Sequence, residues 1–233
     1  MKQISIASVI FLICISCSKE EPSPAMVWTD YYPLSIGTER IYECTSITID
    51  VLAEVNDTSV YIVKETVVSS LNKGNTCEVF AENCEKRTAD IAAWVPYVSL
   101  GVQRYDHSIV RVEDNVPYQV LKFPVNTLFS WNLNEYNTQE EQKTSYSAVN
   151  QSDTIAGIGY DSVLFVMQKN FKSLYTYEYA EERYAKNIGL IYKKTIDVES
   201  QPTQMQIDLT KPIEDRITKG TILTYKLIQS SIK

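Results

Sequence analysis

Few residues in this 233-residue chain have types and spacing that suggest chemistry. His107 is the single histidine, and it stands between Asp106 and Ser108. A catalytic triad assembles from separate elements, and neighbours on a strand point to opposite faces, so this trio reads as a turn that opens a strand. Glu178, Glu181 and Glu182 lie beside Tyr175, Tyr177 and Tyr179. Carboxylates about 5–10 Å apart carry glycoside hydrolysis, and a tyrosine stripe suits a sugar, although an ordinary sheet surface offers the same stripe. Cys44, Cys77 and Cys84 are an odd set, so at most one disulfide can form among them. If "CEVFAENC" is one strand, Cys77 and Cys84 stand about 23 Å apart, and they pair only if "AEN" turns. The spacing fits no zinc pattern, and neither G-x-S-x-G nor H-E-x-x-H occurs. Gly157-Ile158-Gly159 lacks the third glycine and the βαβ context of a dinucleotide loop, so it reads as a turn. No catalytic residue, metal site or cofactor is expected, and the ligand-binding residues stay unassigned.

The remaining candidate is Cys17. Met1 and Lys2 precede an apolar run from Ile4 through Ile15 and the small Ser16, the pattern of a secretory signal peptide over 1–16. The run is shorter than the ~20 apolar residues of a membrane-crossing helix and is followed at once by Lys19, Glu20 and Glu21. "CISC", Cys14 to Cys17, resembles the lipobox of bacterial lipoproteins, with Cys14 where leucine is usual. The resemblance implies that Cys17 is acylated, the palmitate-type modification of a lipoprotein, and becomes the mature N-terminus. Each buried methylene adds about 0.8 kcal/mol of membrane affinity, so two or three chains anchor stably. "SKEE" resembles the export signal of surface lipoproteins of Bacteroidota, which implies the outer membrane, facing outward from the cell surface, with the periplasmic face as the alternative. Residues 17–27 then form an extended, Pro-interrupted tether. "DTI" and "DSV" resemble O-glycosylation acceptors at Thr154 and Ser162.

Residues 28–233 read as a single β domain. Sixteen tyrosines and three tryptophans favour pleated sheet. The formal charge is −7, and one unit more negative without Lys2, so nothing offers a footprint for nucleic acid or an anionic lipid surface. Period-two alternation recurs from Arg40 onward: "RIYECTSITID" puts Ile41, Glu43, Thr45, Ile47 and Ile49 on one side and Tyr42, Cys44 and Ser46 on the other. "NDT", "NKGN" and "EDN" supply turns. "ADIAAWV" and "EYAEERYAK" are the two segments with helical character, and the alternation of Tyr175, Tyr177 and Tyr179 makes the second a strand. The expectation is an all-β fold, a single antiparallel meander of about ten strands that forms an open or half barrel or a sandwich.

"YYPLSIGTERIYE", Tyr31 to Glu43, resembles the opening common in uncharacterised outer-membrane lipoproteins of Bacteroidota, with Arg40 where tryptophan is usual. "LKFPVNTLFSWNLNEYN" and "YAKNIGLIYKK" resemble later landmarks of the same group. This resemblance implies an all-β lipoprotein domain with no inherited catalytic residues. Physically, Pro33 and Gly37 frame a turn, Trp131 and Tyr136 plug one end of the sheet, and Gly189 marks a bulge or close backbone approach. The expected function is a non-enzymatic binding or accessory domain for a protein, glycan or apolar ligand, tethered to the membrane through acyl chains on Cys17. A glycan-active hydrolase using paired carboxylates is the alternative. An open barrel would enclose a cavity, as in the lipoprotein-carrier half-barrel, by analogy of fold alone.

Overall fold

The computed structural model describes residues 28–73, 77–88, 93–201 and 208–233. The leader, Cys17, the tether and part of "ADIAAWV" lie outside the described residues. Twelve strands form one antiparallel sheet: β1 (Glu39–Asp50), β2 (Val55–Lys73), β3 (Cys77–Thr88), β4 (Val95–Tyr105), β5 (Ser108–Glu113), β6 (Val116–Lys122), β7 (Ser130–Asn132), β8 (Lys143–Ile155), β9 (Ile158–Lys172), β10 (Thr176–Ala185), β11 (Gly189–Glu199) and β12 (Lys219–Ser231). Their order is β6-β5-β4-β3-β2-β1-β12-β11-β10-β9-β8-β7, an up-and-down meander whose first and last strands pair.

The free edges, β6 and β7, meet without a ladder and leave the barrel nearly closed. At this seam the Gln119 N–H donates to the Leu133 carbonyl at 2.8 Å, and Trp131 Nε1 donates to the Gln119 carbonyl at 2.7 Å. The Tyr146 hydroxyl both accepts from the Lys122 N–H and donates to the Lys122 carbonyl. Side chains thus satisfy backbone groups that an open edge would expose.

The turns follow local chemistry. Asp114 and Asn115 (φ 50° and 65°) join β5 to β6, and Ala156 and Gly157 (φ 50° and 81°) join β8 to β9, both in the left-handed region that two-residue hairpins require. The "NDT" stretch, 56–58, instead lies inside β2 after a turn at 51–54, because its backbone pairs with β1, while the "EDN" and "GIG" turns are where the sequence puts them. So is the strand at "EYAEERYAK", which is β10.

Residues 28–38 close the barrel end where β1 and β11 begin. A 3-10 turn, Trp28–Tyr31, feeds Tyr31, Tyr32 and Leu34 into the core, all three buried. Full burial of side chains of this size is worth roughly 1.5–3 kcal/mol each. The Asn187 N–H donates to the Asp30 carbonyl at 2.7 Å, and Gly37 (φ 86°) donates its N–H to the Val67 carbonyl at 2.8 Å. Trp131 is buried in the core as expected, but Tyr136 is exposed and stacks on Tyr105, so only the first plugs anything.

Candidate functional site

Charge inside the barrel is the main departure from a simple hydrophobic core. Arg40 on β1 and Arg111 on β5 are buried, as are Glu82 on β3 and Glu182 on β10. Each follows the inward parity of its strand: Arg40 alternates with Tyr42 and Cys44, Glu82 with Phe80 and Cys84, Arg111 with Ile109, and Glu182 with Tyr184. Unpaired, a charge in such a place costs several kcal/mol.

Arg40 is fully engaged. Its Nη1 donates to Glu82 Oε1 at 3.1 Å, its Nη2 to the Pro33 carbonyl at 2.6 Å, and its Nε to the Ile188 carbonyl at 3.0 Å. It also lies 5.5 Å from the Tyr32 ring centroid. Glu82 and neighbouring groups hold its proton more firmly than usual even though burial opposes this. Gly189 (φ 97°) is the close approach expected from the sequence, since a Cβ there would stand 3.0 Å from Arg40 Nε. Arg40 therefore ties the Pro33 stretch to the turn that precedes β11.

Arg111 sits beside open space. Its Nη2 donates to Glu182 Oε1 at 2.7 Å and its Nε to Glu113 Oε1 at 2.5 Å, while the Tyr184 hydroxyl donates to Glu182 Oε2 at 2.5 Å. Lys193 Nζ lies 3.7 Å from Glu113 and 3.6 Å from Glu182, ion-pair distances longer than hydrogen bonds. Arg111 holds the Glu113 carboxyl down at about 2. Burial alone would raise Glu182, yet Arg111, Lys193 and the Tyr184 hydroxyl pull it below the usual carboxylate range.

Arg111, Glu113 and Lys193 border a cavity of about 370 Å³ inside the barrel. Its wall combines Val63, Leu100, Leu190 and Leu223 with Tyr97 and Tyr225, and its polar groups are Glu65, Arg111, Glu113, Asp114 and Lys193. Asp114 belongs to the exposed β5–β6 turn, so the cavity lies toward the end opposite the plug. Glu65, 3.8 Å from Arg40 Nη1, has its carboxyl raised to about 7 by burial first and by Glu82 second, against the pull of Arg40 and Arg111. A pocket of this size with apolar walls and a few convergent polar groups suits a small molecule. It differs from a lipid carrier's dry apolar cavity in its five acidic and basic side chains.

The structure separates the three glutamates singled out on β10. Glu181 and Glu182 point to opposite faces. Glu181 accepts from Arg183 Nη2 at 2.9 Å, with Arg183 between the Phe165 and Tyr192 rings and bound to Asp153 as well. Glu178 pairs with Lys169 at 2.9 Å. His107 is exposed in the β4–β5 turn, as its neighbours suggest. Cys77–Thr88 is one strand, and Cys44, Cys77 and Cys84 are all free. Thr154 is exposed, whereas the Ser162 hydroxyl is within hydrogen-bond distance of Asn150 and Tyr31. Sequence reasoning missed Glu65, Glu82, Arg111, Glu113 and Lys193. The signal was available at three of them, a charge at the same parity as buried neighbours two residues away: Val63-Glu65-Val67, Phe80-Glu82-Cys84 and Ile109-Arg111.

The chain matches no protein family, and no curated protein matches it.

Proposed function

We propose that this is a lipid-anchored cell-envelope protein, held to the outer membrane through Cys17, whose barrel binds a small ligand in its interior cavity. The observation that carries the binding role is the 370 Å³ space beside Arg111, Glu113 and Lys193, where charged side chains already stand oriented at an apolar wall. Preorganised polar groups lower the ordering cost of binding. The lipobox-like Cys14 to Cys17 stretch supports the anchor, and "SKEE" supports the outward face.

Two experiments test the two halves. Cells fed radiolabelled palmitate should label the wild-type chain and not Cys17→Ser, and protease shaving of intact cells should remove the domain while a periplasmic control survives. Label in the variant, or a protected domain, overturns the anchor or the outward face respectively. For the cavity, amide spectra of the full chain in detergent, titrated with small cationic, anionic and neutral compounds, should show shifts centred on Leu100, Arg111, Lys193 and Leu223. Shifts elsewhere, or none, overturn the binding role.

One observation favours the hydrolase reading. Glu65, raised to about 7, and Glu113, lowered to about 2, face one cavity, and carboxyls pushed apart in this way can divide acid and base roles. It ranks second because Arg111 and Lys193 already clamp Glu113. Turnover of aryl glycosides that disappears in Glu65→Gln would promote it, and absence of turnover would end it.

A further inference from the structure

We propose that the interior cavity takes a small organic cation, an ammonium group on an apolar body, with Glu65 and Asp114 as its anionic partners and Tyr97 and Tyr225 as its ring wall. This rests on the cavity being a binding site and goes on to name the ligand's chemistry.

The charge balance around the cavity gives the sign. Arg111 and Lys193 face Glu113 and Glu182, two cations against two carboxylates within 3.7 Å. Arg40 is spent on Glu82 and two carbonyls and reaches Glu65 only at 3.8 Å. Glu82 Oε2 is itself buried without a hydrogen-bond partner among the described residues. Asp114 makes no ion pair among the described residues. The cavity wall itself therefore carries three carboxylates, Glu65, Glu113 and Asp114, against two cations, Arg111 and Lys193, and an incoming anion would meet that excess.

The rings give an independent observation. Lys86, on the face of β3 that carries Glu82 and Cys84, places its ammonium 3.9 Å from the Tyr61 ring centroid and 5.4 Å from that of Tyr97. Tyr61 and Tyr97 meet edge to face at 6.4 Å, and Tyr225 packs edge-on against Tyr42 at 6.0 Å. One ring of the cavity wall, Tyr97, thus already faces an alkylammonium of the protein's own, and aromatic faces attract such groups. The remaining wall, Val63, Val98, Leu100, Leu190 and Leu223, suits an apolar body.

The test uses three probes of one shape and different charge, 2-phenylethylamine, 2-phenylethanol and 3-phenylpropionate, titrated calorimetrically into the full chain in detergent. The amine should bind most tightly and the carboxylate most weakly. Glu65→Gln should weaken the amine about tenfold and leave the alcohol nearly unchanged. Asp114→Asn, a change at an exposed turn where asparagine accepts the positive φ, should weaken the amine by a smaller factor without threatening the fold. The groups around Glu65 are Arg40, Tyr42 and Cys44 from β1, Glu82 and Cys84 from β3, Arg111 from β5, and Tyr32 from the plug. Below about 7 the amine must displace a proton from Glu65, so its affinity should rise with pH up to that point and level off above it. Tighter binding of 3-phenylpropionate than of the amine would overturn the cation and leave the cavity reading standing. Amine binding indifferent to both substitutions would overturn the assigned partners, and no binding by any probe at millimolar concentration would overturn the cavity reading itself.

Discussion

Arg40 and Arg111 each reach a buried glutamate from the inward face of a β-strand, and their surroundings differ in one respect. Around Arg40 the plug has shut the barrel: the guanidinium meets Glu82, the Pro33 and Ile188 carbonyls and the Tyr32 ring. Around Arg111 the same kind of pair borders a 370 Å³ cavity, and Lys193 stands by as a second cation. Both ion pairs join distant segments of chain, but one is enclosed by the plug and the other frames a space. The contrast teaches that an inward charge in a barrel takes its role from what fills the volume beside it, because desolvation decides how strongly a partner is needed.

The largest effect is expected at Arg40. Arg40→Met removes the sole cation that, among the described residues, lies within hydrogen-bond distance of Glu82, and strands that carboxyl, so unfolding in denaturant should show a loss of about 3–5 kcal/mol. A loss below 1 kcal/mol would mean that the plug needs no clamp.

The next effect is a pH dependence confined to the cavity side. The Glu65 carboxyl is raised in the fold, so the folded state holds that proton more tightly than the unfolded chain does. Its contribution is present below the usual carboxylate range and is lost as pH rises through about 7. Glu113 has the opposite sign: its contribution is present above the usual range and is lost as pH falls toward about 2. Thermal unfolding should therefore be most stable on the acid side of neutrality and decline toward pH 7 by up to about 3 kcal/mol. Glu65→Gln should flatten that decline. An unchanged slope in the variant would assign it to another group.

Arg111→Met should cost about 2 kcal/mol, less than Arg40→Met, because Lys193 and Tyr184 still serve Glu182 and the cavity side is more open. The Glu113 carboxyl, freed of its main partner, should rise from about 2 toward the usual range, which carboxyl carbon shifts on titration would report. Equal costs for the two arginine substitutions would erase the distinction. The smallest effect sharpens it: Gly189→Ala puts a Cβ against Arg40 Nε in a left-handed backbone and should cost about 1–2 kcal/mol, whereas Gly159→Ala meets open space and should stay within about 0.5 kcal/mol in the same denaturation assay.

Alternation and turn chemistry made the strands legible, since both are local. Asp114-Asn115 and Ala156-Gly157 turn where asparagine and glycine accept a positive φ. The closeness of Gly189 to another group was also legible, though not that the group is Arg40. The inward face of β1 was not. Counting aliphatics favours Ile41, Ile47 and Ile49, yet Arg40, Tyr42 and Cys44 are the buried residues. Twelve strands around one interior make that choice together, because a strand's inward side is set by its neighbours' register and not by its own composition.

By itself, the sequence determined an all-β antiparallel meander and the turns at Asp114-Asn115 and Ala156-Gly157. Each follows from interactions within a dozen residues. Only the tertiary structure decided that the first and last strands pair, that the plug leaves one end of the barrel unfilled, and that Glu65, Arg111, Glu113 and Lys193 face one cavity. These residues lie on β2, β5 and β11, and closure brings them together because it bends one sheet around a shared interior.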